Sequence, residues 1–572
     1  MPASYSTHLR RRDFLAIAGT ALGTGLLPRT SAIAADDDEK PVGPRAKSLT
    51  APALCVAPDR RAAEAGAAML RRGGNAFDAA VAAGFVEAVV APQSCGIGGY
   101  GATGIAFHAK SQKCVAIDAN AVAPRAATPA MFPVIPDRDS KTYKLPDDKH
   151  KHGPLSVAVP GVLAGLCTLL ERWGTLDRQT VMAPAIRFAR DGIALAPAMA
   201  RTWLTIEAEA EGRAPPGPED VPKRLPMDDL ATTLDAIAAE GPDIFYAGRI
   251  GHAIAEHVSR GGGILTTDDM AAYRPLLVEP LSVEVRGQTL FTPPPGAGGL
   301  TSLQMVALFD RLCQRDRVPE TGSPDAFEFL LEIDKVVWEE RLRQLADPRF
   351  MAHPPETLLS DSHLDELLER VKKGLADPKP GRLIAPDPLK GTVHLAAADA
   401  EGNIVAWTQT HGGGFGAGVM VPKTGIVLGH GMCRFEPRLG WANSVAPGKR
   451  PLHNMSPIIA LRQGRPVLAV GAAGGRTIVN NSASLAIGRL IHGLGAVETM
   501  AAPRLQCESL EPAVIEKAAG PECVTALRAR GHALKEAAKD AGTAQLIARD
   551  GNSWIGVAES RAPTAAVAAG AG

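Results

Sequence analysis

A threonine that begins a strand is the residue in this chain best suited to nucleophilic chemistry. Residues Thr392–Ala398 and Ile404–Thr410 have the pattern of two strands. The short loop between them ends in Gly402, which suits the left-handed position of a three-residue hairpin loop. Antiparallel pairing across this loop places Thr410 opposite Thr392. Cross-strand neighbours lie roughly 5 Å apart, so we expect the two hydroxyls to meet.

The segment before Thr392 suggests how its hydroxyl becomes reactive. Residues 375–391 are rich in proline, lack apolar periodicity and end in Gly391, which predicts an exposed processing loop. A glycine carbonyl is sterically open to attack by the next residue's hydroxyl, and an N-to-O acyl shift followed by hydrolysis would free the amino group of Thr392. Such an amine has a pKa near 8 and can serve as the general base for its own hydroxyl. Taken alone, Gly-Thr at a strand start also fits an ordinary surface strand.

The elements around this hairpin predict an α/β protein in which helices cover sheets. Helical patterns, one of them with Asn75 and Asp78 in capping-box positions, alternate with strand-like segments. A single strand is expected over 104–116, and the small-residue tail 562–572 is expected to be disordered. The helical segments are residues 59–72, 76–90, 161–173, 181–190, 326–345, 361–374 and 482–491. Further strands are expected at residues 426–428, 458–462 and 466–470.

Several short blocks occur in order along the chain. They are Gly73-Gly74-Asn75-Ala76-Phe77-Asp78-Ala79-Ala80-Val81-Ala82, Ser94-Cys95-Gly96-Ile97-Gly98-Gly99, Ala123-Pro124 with Thr128, Pro293-Pro294-Pro295 with Gly298-Gly299, Thr392-Val393-His394-Leu395, Ala446-Pro447-Gly448-Lys449-Arg450-Pro451-Leu452 with Met455-Ser456-Pro457, and Gly471-Ala472-Ala473-Gly474-Gly475. With these blocks, the chain from about residue 50 to its end resembles the γ-glutamyltransferase (glutathione hydrolase) family of N-terminal-nucleophile hydrolases.

The resemblance implies a four-layer αββα sandwich built from two chains of one precursor, a large chain of residues 35–391 and a small chain of residues 392–572. It implies that Thr392 is the nucleophile and that Thr410, in the family's second-threonine position, orients it. It also implies that the backbone N–H groups of Gly474 and Gly475 form the oxyanion hole, a task that suits glycine because the backbone must approach the reacting carbonyl.

The departures from the family's pattern concern the substrate clamp. Asn120 stands where the family has an arginine for the substrate α-carboxylate, and Arg434 stands where it has an aspartate for the α-amine. An asparagine expected shortly after Thr410 is replaced within His411-Gly412-Gly413, and the family's paired serines are His453 and Asn454. An arginine in place of an aspartate should reject an ammonium group. Alternatively, Arg125 or Arg450 serves as the carboxylate clamp.

Three functions follow from these observations. The first is a self-processing hydrolase of the γ-glutamyltransferase family that cleaves an amide of γ-glutamyl type, or of a related acyl donor, through a threonyl acyl-enzyme. The second is an acylase or amidohydrolase for glutaryl- or oxamate-like amides that lack the α-ammonium. The third is a non-catalytic homologue that binds a ligand without cutting itself.

The N-terminus predicts export. Residues 1–34 combine Arg10-Arg11-Arg12-Asp13-Phe14-Leu15, an apolar stretch and small residues before the expected cleavage point, which is typical of a twin-arginine signal peptide. We therefore expect a periplasmic or secreted protein without a stable membrane span. The eight cysteines include no Cys-x-x-Cys pair, which favours buried free thiols over a disulfide scaffold.

The charge balance and two further motifs bear on ligands. With 61 basic and 61 acidic residues, the chain has no basic field that favours nucleic acid, so we expect a small-molecule amide as partner. Gly96-Ile97-Gly98-Gly99-Tyr100-Gly101 fits a dinucleotide fingerprint, but a helix precedes it and a strand follows, which is the reverse of the required order. The charged run at 147–152 is more typical of a solvated loop than of a metal site. We predict neither a metal nor a cofactor.

Overall fold

Two antiparallel sheets of seven strands each lie at the centre of the described part of the protein. The computed structural model describes residues 48–136, 143–313, 317–381, 391–540 and 542–570. The first sheet runs in the order Ser48–Ala51, Ser553–Ala558, Thr543–Asp550, Arg465–Ala473, Ile458–Arg462, Gln288–Thr292 and Leu281–Val285. The second sheet runs in the order Ala566–Ala569, Leu54–Ala57, Val393–Ala398, Ile404–Thr410, Gly101–His108, Lys113–Ala119 and Leu276–Val278.

Small apolar side chains fill the space between the two sheets. Ala396 and Ala406 of the second sheet share one buried cluster with Ala469 and Ile459 of the first. The hairpin strands Val393–Ala398 and Ile404–Thr410 are buried along their whole length, including their polar residues. The remaining short strands are Ile135–Pro136 with Tyr143–Lys144, Val419–Val421 with Ile426–Leu428, and Leu505–Gln506 with Ala513–Glu516 and Leu534–Ala537.

Helices cover the outer face of each sheet. One apolar cluster joins the inner helix Ala76–Val90 to the second sheet, and another joins the helix Thr477–Leu490 to the first. The molecule therefore has the predicted four layers, helix, sheet, sheet and helix. The α-helices are Arg60–Arg71, Ala76–Val90, Val162–Trp173, Arg178–Asp191, Pro197–Ala210, Asp228–Glu240, Asp243–Tyr246, Arg249–Arg260, Thr267–Ala272, Gly299–Leu312, Pro324–Gln344, Asp361–Ala376, Thr477–Leu490, Ala496–Ala501 and Pro521–Ala529.

Local signals placed several elements correctly. Asn75 and Asp78 form the predicted capping box at the start of the helix Ala76–Val90.

The eight cysteines are free. No helix within the described ranges is long and apolar enough to cross a membrane. The described residues belong to one compact unit. The predicted signal at 1–34 lies outside the described residues.

Three expectations about elements need correction. The single strand expected over 104–116 is a hairpin, because Gln112 adopts a left-handed turn conformation between Gly101–His108 and Lys113–Ala119. The tail expected to be disordered contains the strand Ala566–Ala569, which pairs with Leu54–Ala57. The helix Asp361–Ala376 includes the first two residues of the expected loop 375–391, of which 382–390 lie outside the described residues.

A buried charge cluster holds the part of the chain that leads into this loop. The Lys335 ammonium lies 2.7 Å from Glu332 and 2.6 Å from Glu511. It also donates to the carbonyl of Lys379 at 2.7 Å, and Glu511 N donates to the carbonyl of Pro380 at 2.9 Å. The His532 ring lies 2.9 Å from Glu511 and is fully buried. The ammonium thus stands among the ligand atoms of Glu332, Glu511 and His532, which lie close enough together to hold a cation.

We predict that His532→Gln changes how stability depends on pH. The hydrogen bond to Glu511 raises the pKa of His532 against the opposing effect of burial. A raised pKa stabilises the fold below the unfolded-state value of about 6.5, and this contribution disappears as the pH rises through the folded-state pKa. The melting temperature of His532→Gln should therefore lie below that of the natural protein at about pH 6, and the gap should narrow towards about pH 9. A gap that stays constant across this range would contradict the assignment.

Candidate active site

The hairpin has the register that places the two threonines together. Val393 pairs with Gln409 and His394 with Thr408, so the next pair in register is Thr392 with Thr410, as predicted. The Thr392 hydroxyl donates to the Thr410 hydroxyl oxygen at 3.0 Å. Thr392 is half-buried, whereas Thr410 is buried.

The Thr410 hydroxyl is saturated by three neighbours. It accepts from the Thr392 hydroxyl and from the backbone N–H of Gly412, the latter at 2.7 Å, and it donates to the carbonyl oxygen of Gly391. A hydroxyl offers one proton and two acceptor positions, so all of its capacity is used. The bond to Gly391 polarises the carbonyl that precedes Thr392.

Glycines allow the backbone to close tightly behind Thr410. A Cβ on Gly96 would lie 2.7 Å from Nε2 of His411, and one on Gly99 would lie 2.8 Å from the carbonyl oxygen of Thr410. Gly412 has φ +99° and packs against the His430 ring. The glycine run at 96–101 that superficially fits a dinucleotide fingerprint is therefore a packing surface for the turn after Thr410.

His394 and Gly471 bring the first sheet against the nucleophile strand. A side chain on Gly471 would overlap the His394 ring. Further from Thr392, Ala396 and Ala398 share the inter-sheet cluster with Ala469. Residues of the strand Arg465–Ala473 that come later in the chain therefore lie closer to the Thr392 end of the strand Val393–Ala398. Continuing beyond Gly471 leads towards Gly474.

Gly474 and Gly475 form the turn that joins this strand to the helix Thr477–Leu490. Their φ values are +132° and +72°, which side chains rarely tolerate. Their backbone N–H groups donate to no other residue within the described ranges. The turn also lies at the positive end of the helix, so both N–H groups suit a developing negative charge.

Histidines near the threonines do not supply a base at neutral pH. Burial lowers the pKa of His394 to about 3 and that of His411 to about 3. Burial, followed by Arg341, Arg434 and Arg450, holds the pKa of His453 well below its usual range. These three imidazoles are therefore neutral and weakly basic at neutral pH.

Asn120 lies in the wall beside Thr410. Thr410 pairs with Gly101, where a Cβ would lie 3.1 Å from Asn120 Oδ1. The fully buried Asn120 donates from Nδ2 to the Pro451 carbonyl at 2.6 Å and accepts from Ala121 N at 2.9 Å. The described contacts use one of the two amide hydrogens of Asn120.

The two alternative clamp arginines have different surroundings. Arg450 is buried, donates to the backbone carbonyls of Asn120 at 2.7 Å and Arg274 at 2.8 Å, and lies 3.5 Å from Asp118. Arg125 is exposed, and its backbone N–H donates to Asp269. The Arg450 guanidinium therefore serves the scaffold around Asn120.

The other predicted substrate residues lie on two adjoining segments. The short turn Gly431–Arg434 directly follows His430, which packs on Gly412 in the turn after Thr410. The backbone N–H of His453 donates to the Gly296 carbonyl at 2.6 Å, and Gly296 lies against Asn120. One segment thus adjoins Gly412 through His430, and the other adjoins Asn120 through Gly296.

Sequence reasoning missed Arg341, which lies behind His453 and Asn454. It belongs to the helix Pro324–Gln344 and is 1% exposed. Its guanidinium donates to the His453 carbonyl at 2.6 Å and to Asn454 Oδ1 at 3.1 Å. An arginine near the end of an amphipathic helix ordinarily faces water, so no local signal distinguished it.

The two-sheet architecture with a threonine at the start of a central strand defines the class of N-terminal-nucleophile hydrolase folds. Residues 62–569 match the model of the family described as gamma-glutamyltranspeptidase. The chain therefore belongs to the γ-glutamyltranspeptidase family, and it is an enzyme of that family.

Relatives with two kinds of name are similar to the chain over most of its length. The glutathione hydrolase proenzyme of Escherichia coli K12 is 31% identical over 560 residues, 93% of this chain and 94% of that protein. The acylase ACY 1 proenzyme of Pseudomonas sp. SE83 is 35% identical over 507 residues, 85% of this chain and 88% of that protein. The crystal structure of a cephalosporin acylase from Bacillus halodurans superposes with a TM-score of 0.79 at 26% identity, covering 94% of this chain and 99% of that one.

We predict that Thr410→Val slows the appearance of a fragment beginning at Thr392 by about 10²–10³-fold, the usual cost of losing one hydrogen bond to a developing oxyanion. Valine keeps the branched shape but removes the donor to Gly391 and the acceptor for Thr392. The measurement is a time course of chain cleavage on a denaturing gel. Thr410→Ser keeps the hydroxyl and should retain most of the rate. Equal rates for Thr410→Val and the natural protein would show that this hydroxyl takes no part.

Proposed function

We propose that the protein is a self-processing amide hydrolase that cuts its own chain before Thr392 and then uses Thr392 as an N-terminal nucleophile. The observation that carries the proposal is the hydrogen-bonded series from Thr392 through Thr410 to the Gly391 carbonyl. It supplies in one place a nucleophile, a proton acceptor and a group that polarises the bond to be attacked. A non-catalytic homologue would have no need for this series.

The self-cleavage step follows the direction of these hydrogen bonds. Thr392 Oγ1 forms a bond to the Gly391 carbonyl carbon, its proton passes to Thr410 Oγ1, and the Thr410 proton passes to the carbonyl oxygen. The resulting five-membered ring opens by breaking the Gly391–Thr392 C–N bond, and the nitrogen takes up the proton. Water then hydrolyses the ester, leaving a carboxylate on Gly391 and a free amine on Thr392. Residues 35–391 and 392–572 would be the two chains of the mature enzyme.

The mature reaction reuses the same groups. The freed amine of Thr392 accepts the proton of its own hydroxyl as Oγ1 attacks the substrate amide carbon. The N–H groups of Gly474 and Gly475 stabilise the oxyanion, and the leaving amine takes the proton. Water then attacks the acyl-enzyme, releasing the acid and restoring Thr392. Thr410 holds the Thr392 hydroxyl in position through both halves.

The charge around the site bears on the acyl donor. Burial, then Arg341, Arg434 and Arg450, lowers the pKa of His453, and burial, then Arg476 and Arg434, lowers that of Arg341. A cluster of positive charges disfavours an ammonium group on the bound acyl chain. We therefore propose an acyl donor that lacks the α-ammonium of a γ-glutamyl group. Export by the twin-arginine pathway to the periplasm or beyond remains part of the proposal.

We predict that the purified protein runs as two fragments on a denaturing gel and that Thr392→Ala runs as one. N-terminal sequencing of the smaller fragment should begin at Thr392. The alanine variant removes the attacking oxygen without adding bulk, so it should fold and remain uncut. A single uncut chain from the natural gene, folded and stable over days, would favour a non-catalytic ligand-binding homologue instead.

A further inference from the structure

Both polar atoms of the Asn480 side chain, in the helix Thr477–Leu490, are bonded to protein groups in the interior. Its Nδ2 donates to Oδ2 of Asp334 at 2.7 Å and to the carbonyl of Cys507 at 2.7 Å. Its Oδ1 accepts from the indole Nε1 of Trp338 at 2.8 Å. All four residues are buried. Because both amide hydrogens and the amide oxygen have partners, this network fixes the orientation of the amide and of the indole ring.

The network joins the two chains that self-cleavage would create. Asp334 and Trp338 lie one turn apart on the helix Pro324–Gln344, which belongs to the proposed large chain. Asn480 and Cys507 belong to the proposed small chain. A side chain of the large chain thus supports a helix of the small chain through a buried hydrogen bond.

The face of the same indole ring lies close to the turn that precedes this helix. Arg476 directly follows the Gly474–Gly475 turn, and its guanidinium carbon lies 5.9 Å from the Trp338 ring centroid. That distance is within the range of a cation–π contact. Thr477, the first residue of the helix, donates from its hydroxyl to the carbonyl of Gly474 at 3.1 Å. Trp338 therefore meets the residue after the turn with its ring and the helix behind the turn with its N–H.

The turn depends on such support because its glycines have no side chains that could anchor it. On one side, a Cβ on Gly474 would lie 2.7 Å from the Cα of Gly542, so the backbone there is closely packed. On the other side, Asn480 lies five residues beyond Gly475, about 7–8 Å along the helix axis. A shift of the helix start would move the N–H groups of the turn with it. A displacement of about 1 Å at a reacting group can reduce a rate about 10²-fold.

We propose that Trp338 is a positioning residue, through which the large chain holds the Gly474–Gly475 turn of the small chain in the orientation that stabilises the oxyanion. The inference rests on the proposed amide hydrolysis and adds a residue to it. Trp338 acts through Asn480 and Arg476 rather than on the substrate. Its contribution should therefore appear in the stabilisation of the transition state and not in the binding of the substrate.

The test is Trp338→Phe, which keeps an aromatic face near Arg476 but removes the donor to Asn480. Two probes are used on the mature enzyme. Glutaryl-p-nitroanilide is an amide donor without an α-ammonium, and p-nitrophenyl acetate is an ester with an acyl group too small for donor recognition. We expect kcat to fall about 10–100-fold for both, which is less than the 10²–10³-fold cost of losing a whole oxyanion donor. KM should change only a few-fold, as for an interaction made in the transition state alone.

Trp554→Phe is a matched control for the loss of a buried indole bond. Trp554 is also fully buried, donates to the Asp399 carbonyl at 2.8 Å and has the Arg549 guanidinium carbon 4.3 Å from its ring centroid. Asp399 follows the end of the nucleophile strand that is remote from Thr392. Trp554→Phe should lower the melting temperature as Trp338→Phe does and leave kcat nearly unchanged. Similar losses of kcat in the two variants would show general destabilisation and overturn the proposal.

Asp334 provides a second comparison if Trp338→Phe does not fold. Burial raises the pKa of Asp334 well above its usual range, which favours a neutral carboxyl. Asp334→Asn keeps an oxygen acceptor for Asn480 and should retain most of kcat. Asp334→Leu removes the acceptor and should lower kcat with little change in KM. Equal kcat values for the two folded variants would contradict a role for this network.

The rate of self-cleavage separates this inference from the proposed function. In the proposed self-cleavage, Thr410 rather than the glycine turn polarises the Gly391 carbonyl, so Trp338→Phe should mature at close to the natural rate. Slowing of maturation as large as that of turnover would contradict a specific effect on the turn. A natural protein that neither matures nor hydrolyses the two probes would refute the proposed function. Unchanged kcat in a mature Trp338→Phe would refute the inference alone.

Discussion

The hydrogen bond between the hydroxyls of Thr392 and Thr410 is the contact around which the rest of the site is arranged. It spans 3.0 Å and depends on the register of one hairpin. A shift of one residue would turn Thr410 to the opposite face of the sheet and leave the Gly391 carbonyl without its donor. Continuous burial of both strands between a sheet and a helix layer makes such a shift expensive, so the fold holds the dyad by packing rather than by local bonds alone.

The site also requires the backbone to approach neighbouring groups closely. Gly96, Gly99 and Gly412 let the turn after Thr410 pack without side chains in the way, and Gly471 leaves room for His394 between the sheets. His394 and His411 are buried and neutral at neutral pH. In the proposed mechanism the base is therefore the amine that self-cleavage would free, and catalytic competence would follow maturation.

Local signals in the sequence predicted the hairpin and the capping box, since each depends on residues close together in the chain. The four-layer architecture was instead implied by the resemblance to the family. The tail strand Ala566–Ala569 was missed because alanine repeats carry no pattern until a partner strand is known. Arg341 was missed for a similar reason. Its partner His453 lies 112 residues away, and only tertiary contact buries the guanidinium. The role predicted for Asn120 stays a prediction, and its bond to Pro451, 331 residues away, was beyond the reach of sequence reasoning.

The most direct measurement of the central claim is the mass of the small fragment during turnover. Acid quenching of the enzyme in excess glutaryl-p-nitroanilide, followed by intact mass spectrometry and peptide mapping, should show the fragment heavier by one acyl group, with the added mass on Thr392. An acyl group found on another residue, or an unmodified fragment after quenching within the pre-steady-state burst, would contradict a threonyl acyl-enzyme.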